Sequence, residues 1–332
     1  MNSTLLRSAL VLGLLSAVGP FAIDMYLPAL PTIGLDLSTD TAGVQASLMA
    51  FMAAIAVCQL FYGPVSDMVG RKPPLYFGMA LFTLGAAASA FAPTIEWLVV
   101  ARFVQGIGAC AAMALPRAIV RDNYTGAEAA QLQSLLMLVF SVSPILAPLG
   151  GSLVVQFGGW REIFWVMVGI GVLGALLVAF FLKETRPPEA RLESSIGSAL
   201  RGYGVLLRDR NFLGLSMIGA FGMASFMAYL ANSSFILIDH YGLSPTLYSI
   251  MFSINAVSFI GVSQLTGVLT RRFGLSAVVR TAVSGFIVTT LILLGVFLFG
   301  IDRLDVLATL LFIGYGFLGL VIPSTAVLAL EE

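Results

Sequence analysis

Stretches of about 20 consecutive, mostly apolar residues recur along the whole chain, and they constrain its fold more than any other feature. A helix of roughly 20 residues is long enough to cross the apolar core of a membrane. Hydrophobic residues make up 59% of the 332 residues and charged residues only 10%, and a water-soluble domain of this length does not need so much apolar surface. The sequence therefore predicts an all-α polytopic membrane protein.

The apolar runs predict ten membrane helices. The first run carries Asp24 and three prolines without a small-residue cleavage site, which favours a retained helix over a signal peptide. The predicted ranges are approximately 6–29, 43–64, 74–93, 96–117, 130–154, 162–182, 211–238, 246–270, 277–300 and 304–330.

The distribution of basic residues predicts the orientation of these helices. Of the 17 lysines and arginines, Arg102 lies within a predicted helix, and Arg161 and Arg303 fall in loops on one side. The remaining fourteen fall on the other side. Because cytoplasmic loops carry the excess of lysine and arginine, we expect both termini to be cytoplasmic.

Composition also narrows the class of function. The net charge is zero, so there is no electrostatic argument for nucleic-acid binding. The chain has one histidine and no metal-ligand cluster, phosphate loop or hydrolase triad in its sequence, so we expect neither an enzyme nor a cofactor. Cys58 and Cys110 fall inside predicted helices and are interpreted as small apolar residues rather than a disulfide or metal pair.

A charged turn joins the second and third predicted helices, with the sequence Gly63-Pro-Val-Ser-Asp67-Met-Val-Gly70-Arg71-Lys72. Asp67 and Arg71 are four residues apart, so they can face each other over one helical turn, or each can pair with a neighbouring helix end. Gly63 and Gly70 let backbones approach closely, and one of them can end a helix in a left-handed cap.

This stretch resembles the signature G-x-L-A-D-R-x-G-R-K between the second and third helices of the major facilitator superfamily. Here Val65 stands in place of the leucine and Met68 in place of the first arginine. The resemblance implies a gate on the cytoplasmic side, formed by Gly63, Asp67, Gly70, Arg71 and Lys72.

Three short patterns repeat at nearly one offset across the chain. The Gly-x6-Gly frame recurs after 204 residues, Tyr26 corresponds to Tyr229 after 203, and Gly106-x-Gly108 corresponds to Gly314-x-Gly316 after 208. Together they indicate duplicated halves, which the major facilitator fold implies. We predict an N-terminal six-helix bundle over 1–183, a cytoplasmic linker over 184–210, and a bundle over 211–332 that is incomplete, with ten of twelve helices in all.

Two opposite charges lie deep in predicted helices. Asp24 is the only acidic residue well inside one, and Arg102 is the only basic residue equally deep. A charge at the bilayer centre costs about 2.5–3.5 kcal/mol on insertion scales, so each faces protein or a water-filled cavity. Two interpretations stay open: a permanent structural ion pair, or a titrating proton carrier whose affinity changes as it alternates between apolar surroundings and the arginine.

Around these charges the sequence is similar to one branch of the superfamily. The first helix, Gly19-Pro-Phe-Ala-Ile-Asp24-Met-Tyr-Leu-Pro28, resembles that of the Bcr/CflA drug-resistance subfamily, which exports bicyclomycin and chloramphenicol. The run Leu98-x3-Arg102-x2-Gln105-Gly106-x-Gly108-Ala109 matches a superfamily motif whose arginine is implicated in proton transfer. The fifth helix carries Pro144 and then Pro148-Leu149-Gly150-Gly151, which resembles the antiporter motif G-P-x2-G-G with one residue fewer.

The resemblance implies a proton-coupled multidrug exporter of the bacterial inner membrane that acts as a monomer. Its expected partners are drug-like substrates, protons and membrane lipids. The alternatives are a transporter of a metabolite such as a sugar or amino acid, and a truncated protein unable to transport.

Polar side chains within the helices are candidates for lining a substrate cavity or for bonding between helices. They are Tyr26, Gln59, Tyr229, Asn232, Asn255 and Gln264.

Overall fold

The structure is a computed structural model that describes residues 3–191 and 196–331, and its regular structure there is helical. It divides into two compact units, residues 1–200 and 201–332. This division falls within the predicted linker 184–210, part of which, 192–195, lies outside the described residues. The three-part division predicted from the sequence stays a prediction.

The helices up to residue 206 follow the predicted order, with two additional short helices after the sixth membrane helix, of which the second crosses the boundary between the units. They are α1 (Ser3–Asp24), α2 (Leu30–Asp36), α3 (Thr41–Val69), α4 (Lys72–Ala90), α5 (Ile95–Asn123), α6 (Gly126–Gly158), α7 (Trp160–Phe181), α8 (Pro188–Arg191) and α9 (Ile196–Leu206).

The second unit consists of five helices and one π-helical turn. They are α10 (Arg210–Ser234), the π-helical turn Phe235–His240, α11 (Pro245–Gln264), α12 (Thr266–Phe273), α13 (Leu275–Leu298) and α14 (Leu304–Glu331).

Helices overlie all ten predicted ranges, but one of them is less apolar than expected. Within the described residues, nine helical segments are long and apolar enough to cross a membrane, and α4 is not among them. The total of ten out of twelve membrane helices therefore stays a prediction.

The first predicted helix is not continuous, contrary to the expectation of one helix over 6–29. Helix α1 ends at Asp24, a short 3-10 turn follows over Leu27–Ala29, and α2 begins at Leu30. Pro28 and Pro31 lie at the starts of these last two segments. Because proline has no N–H to donate to the preceding turn, the backbone is interrupted immediately after Asp24.

Helix α5 is the centre of the first unit and packs closely against α3 and α4. Its glycines are placed where other backbones pass: a Cβ at Gly106 would meet the carbonyl of Phe51, and one at Gly108 would meet the backbone of Gly78 and Phe82. Small residues at such crossings allow the dense helix packing on which membrane proteins depend. This packing sets the positions of the side chains on the buried face of α5.

Helix α14 has the central place in the second unit, packed by α10, α11 and α13. This arrangement repeats that of α1, α3 and α4 around α5. In the first unit α7 packs against both α4 and α1. At the equivalent place in the second unit, between α10, α13 and α14, the described residues leave a cavity of about 640 Å³. The two units therefore share a plan, and the described part of the second one is more open.

We expect Gly108→Ala to destabilise the protein by about 1–3 kcal/mol, because the added methyl group overlaps fixed backbone and the helices must move apart. Gly169→Ala is the matched control, since Gly169 lies in α7 with open space around its Cβ position. The measurement is thermal unfolding of the purified protein in detergent. Equal unfolding temperatures for the two variants would contradict the close packing of α5.

Candidate functional site

The carboxyl group of Asp24 lies at the point where the first membrane segment is interrupted. It is the last residue of α1 and only 5% exposed. Neither a hydrogen bond nor an ion pair of Asp24 is present among the described residues. Discontinuous membrane helices commonly form the binding sites of coupling ions in transporters. Asp24 thus combines a buried acidic group with an interrupted backbone.

The guanidinium of Arg102 is fully buried and is held by neutral groups. Its terminal nitrogens donate to Oε1 of Gln105 at 2.7 Å and to the carbonyl of Ala22 at 3.2 Å. The remaining nitrogen, Nε, has no hydrogen-bond partner in the described part of the chain. A buried cation is costly unless its surroundings replace water, so these contacts reduce the free-energy cost of burying Arg102.

Aromatic rings supply the rest of the surroundings of Arg102. Its guanidinium carbon lies 4.2 Å from the ring centre of Phe51, 4.5 Å from that of Tyr26 and 5.8 Å from that of Phe164. Ring faces attract cations within about 6 Å. Tyr26, predicted as a cavity residue, is itself buried and shares a hydrogen bond of 2.7 Å with the hydroxyl of Ser47.

The structure decides between the two interpretations of these charges only in part. No nitrogen and oxygen of Arg102 and Asp24 approach within 4.0 Å, so the permanent ion pair is absent. Arg102 instead binds the carbonyl of Ala22, two residues before Asp24. The sequence motif contains Gln105, three residues after Arg102 on the same helix face, but the aromatic rings come from α3, α7 and the interruption after α1. A role of Asp24 and Arg102 in proton coupling stays a prediction.

The antiporter-like motif in α6 packs against the interruption beside Asp24. Pro144 and Pro148 both lie inside α6. A Cβ at Gly151 would meet the carbonyl of Met25, whereas Gly150 has open space at the same position. The absence of a side chain at Gly151 therefore lets α6 approach the residue that follows Asp24.

The predicted charged turn forms a compact network around Arg71. A nitrogen of this side chain lies 2.8 Å from Oδ1 of Asp67, in the predicted pairing four residues apart. Its Nε donates to Oδ2 of Asp122 at 2.7 Å, and NH2 donates to Oδ1 of the same residue at 3.2 Å. Such two-pronged contacts between arginine and a carboxylate are strong and directional. The network joins the C-terminal ends of α3 and α5.

Asp67 and Asp122 stabilise the charge on Arg71, whose side chain is 1% exposed. Burial would lower its pKa, but the hydrogen bonds and charge of Asp122, together with Asp67, outweigh this and raise the pKa of Arg71. The sequence allowed a pairing with a neighbouring helix end but did not identify Asp122. This residue lies five residues after the fourth predicted helix, 96–117, and α5 extends past it to Asn123.

The other predicted residues of the turn, Gly63, Gly70 and Lys72, have different structural roles. Gly70 ends α3 with a φ of 100°, a conformation that favours glycine. Lys72 donates to the carbonyl of Leu182 at 2.9 Å. The close backbone approach predicted for Gly63 is wrong, because α3 continues through it and nothing lies within 4 Å of its Cβ position.

The remaining cavity candidates are distributed over the two units. In the first unit, Gln59 lies on the exposed surface. In the second unit, the amide of Asn255 donates to the hydroxyl of Tyr229 at 2.9 Å, and Asn232 donates to the carbonyl of Ala228 in its own helix. Tyr229 and Asn232 line the cavity between α10, α13 and α14. Gln264 is exposed at the end of α11.

Comparison with known families decides the superfamily. Residues 12–332 match the family model described as Major Facilitator Superfamily. The chain belongs to this superfamily. It is therefore a multi-pass membrane protein of a transporter family, as the resemblance in the charged turn implied.

Curated relatives support the resemblance to the drug-resistance branch. The uncharacterised MFS-type transporter YdgK of Bacillus subtilis is 40% identical over 98% of this chain and 82% of its own length. The bicyclomycin resistance protein homolog of Haemophilus influenzae is 31% identical over 83% of this chain and 69% of its own. The multidrug resistance protein MdtL of Klebsiella pneumoniae is 32% identical over 74% of this chain, and the match spans 62% of that relative.

Solved structures confirm the fold. A partially occluded, inward-open structure of the xylose transporter XylE from E. coli has a TM-score of 0.75, with 15% identity over 99% of this chain and 87% of that one. A crystal structure of a nucleoside transporter, NupG, has a TM-score of 0.74, with 12% identity over 98% and 81% of the two chains. At these identities the similarity concerns the fold alone.

We expect Arg102→Lys to destabilise the protein by about 2–3 kcal/mol, because one ammonium group cannot reproduce both hydrogen bonds and the stacking of a planar guanidinium. Arg117→Lys is the control in the same helix, since Arg117 is exposed and lies over the ring of Phe140. Thermal unfolding in detergent measures both. A loss at Arg117 as large as that at Arg102 would contradict the role assigned to these neutral partners.

Proposed function

We propose that this chain is a proton-coupled exporter of drug-like molecules in the bacterial inner membrane, monomeric and with both termini in the cytoplasm. The observation that carries the proposal is Asp24, buried without an ion-pair partner where the first membrane segment is interrupted. The printed names of two relatives, a bicyclomycin resistance protein homolog and a multidrug resistance protein, support drug-like substrates.

Asp24 would carry the transported proton. An ionised carboxylate in apolar protein is unfavourable without water or a counter-charge, so Asp24 would hold a proton in surroundings like those of this structure. Exposure to water in another state of the transporter would favour release of the proton. Since the backbone around Met25 is already interrupted, its surroundings can change without breaking a continuous helix.

Arg102 would act as a fixed positive charge near the carrier. It binds the carbonyl of Ala22 in the same segment as Asp24, and neutral groups hold it in place. A small displacement of α1 against α5 would change the distance between the two side chains. The electrostatic effect of Arg102 on an ionised Asp24 would change with it.

The network around Arg71 would close the cytoplasmic side. It joins the ends of α3 and α5 through two carboxylates. Pairs of this kind can be exchanged for water when the ends separate, so they suit a contact that forms in one state and breaks in another. Asp67 and Arg71 would thus stabilise one state of the transporter rather than bind the drug.

We expect Asp24→Asn to abolish export, because an amide can neither take up nor release the proton. The measurement is accumulation of chloramphenicol and of bicyclomycin in pump-deficient cells that carry matched membrane levels of each variant. Cells with the unchanged chain should accumulate several-fold less drug than empty cells, and a protonophore should remove the difference.

Asp36→Asn is the control for this experiment. Asp36 lies at the end of the same segment but is 47% exposed and paired with Arg161, so export should persist. Normal export by Asp24→Asn would rule out the proposed carrier. Export that sugars or amino acids suppress by competition, with no effect on drugs, would favour a metabolite transporter instead.

A further inference from the structure

The segment that leaves α7 turns back onto the beginning of α4. The carboxylate of Glu184 accepts hydrogen bonds from the backbone N–H of Arg71 at 2.8 Å and of Lys72 at 3.0 Å. It also accepts from the backbone N–H of Thr185 at 2.9 Å and of Arg186 at 3.1 Å. The Glu184 side chain thus accepts from four backbone N–H groups, two at the start of α4 and two in the segment after α7.

The two donors on α4 need an acceptor from outside their own helix. Lys72 is the first residue of α4, and Arg71 precedes it. The first N–H groups of a helix have no partner within the helix, and an anion there also interacts favourably with the helix dipole. Glu184 supplies both the hydrogen-bond acceptor and the negative charge, from a position 113 residues away from Arg71 in the sequence.

The approach of Glu184 depends on Gly70. A Cβ at this glycine would lie 2.6 Å from Oε2 of Glu184, closer than packed atoms come. The φ of 100° at Gly70 also turns the chain so that the following N–H groups point toward the carboxylate. The second glycine of the charged turn therefore accommodates a side chain as well as ending α3.

The residues after Glu184 bind the same carboxylates that hold the side chain of Arg71. The hydroxyl of Thr185 donates to Oδ2 of Asp122 at 3.1 Å. The Nε of Arg186 donates to the carbonyl of Asp67 at 2.9 Å and lies 3.7 Å from its Oδ1. Three consecutive residues thus contact the backbone of Arg71 and both of the aspartates that pair with its side chain.

We propose that Glu184 is a positioning residue of the inner gate: it fixes the backbone of Arg71 so that the guanidinium meets Asp67 and Asp122. The inference rests on the proposed role of the Arg71 network as the gate. It adds that the first residues of the connection between the two units belong to that gate. Separation of the gate would release this connection, and release of the connection would loosen the gate.

The charge state of Glu184 is consistent with this role. Burial would raise its pKa, but the four backbone N–H groups outweigh burial and lower the pKa below its ordinary value of 4.5. A lowered pKa means that the contribution to stability is complete above the ordinary value and is lost as the pH falls through the folded one. The contact should therefore be intact throughout the physiological range.

Hydrogen exchange of the full-length purified protein tests the contact directly. In Glu184→Ala, the amides of Arg71 and Lys72 should exchange at least about tenfold faster, since each loses a charge-assisted hydrogen bond. Glu184→Gln should have an intermediate effect, because one amide oxygen still accepts. Glu189→Gln is the control, as Glu189 is an exposed acidic residue in the same segment. Unchanged exchange at Arg71 and Lys72 would overturn the proposal.

A double-mutant comparison distinguishes positioning from simple capping of α4. If Glu184 acts through Arg71, then Glu184→Ala and Arg71→Ala should each accelerate exchange at the inner ends of α3 and α5, around Asp67 and Asp122. Combining them should add little beyond Arg71→Ala alone.

Faster exchange confined to α4, or fully additive effects, would overturn the positioning role. Exchange elsewhere in the first unit should stay unchanged in the variants, which excludes general unfolding. Neither hydrogen-exchange measurement requires transport. The positioning role of Glu184 is therefore tested even if the proposed drug export fails.

Discussion

The membrane interior offers no water to a buried charge, and the first unit is organised around meeting this constraint at Arg102. The hydrogen bonds that Arg102 donates to Gln105 and Ala22, together with the faces of aromatic rings, replace the missing solvent. These groups come from α1, α3 and α7 as well as from α5 itself, so their contact requires the close helix crossings that glycines such as Gly106 allow. Neutral partners hold the terminal nitrogens of Arg102, and Arg102 forms no ion pair with Asp24.

The two units differ in how completely their central helix is surrounded. Helix α5 is packed by α1, α3, α4 and α6, whereas the described residues leave a cavity beside α14, between α10 and α13. Polar contacts hold both ends of α7 in the first unit: Arg161 pairs with Asp36, and the segment after α7 pairs with Asp67 and donates a hydrogen bond to Asp122. The first unit is consequently the one in which both proposed roles, proton carriage and gating, have a defined geometry.

Patterns along the sequence predicted local features better than contacts between distant segments. Apolar runs located the helices, and the spacing of Asp67 and Arg71 gave their ion pair as one of two alternatives, since both features depend on residues near in sequence. The interruption after Asp24 was missed although Pro28 and Pro31 were visible, because prolines are tolerated in membrane helices when neighbours satisfy the backbone. Asp122 and Glu184 were missed because only folding brings them to Arg71, from 51 and 113 residues away.

The central claim is that Asp24 carries the transported proton, and proton release from the purified protein on drug binding tests it most directly. Chloramphenicol is added to the detergent-solubilised chain in weakly buffered solution with a pH indicator, beside Asp24→Asn at equal concentration. The account predicts release of protons by the unchanged chain and none by the variant, with drug binding measured separately in both. Equal proton release from the two proteins, or drug binding by the unchanged chain without any release, would contradict it.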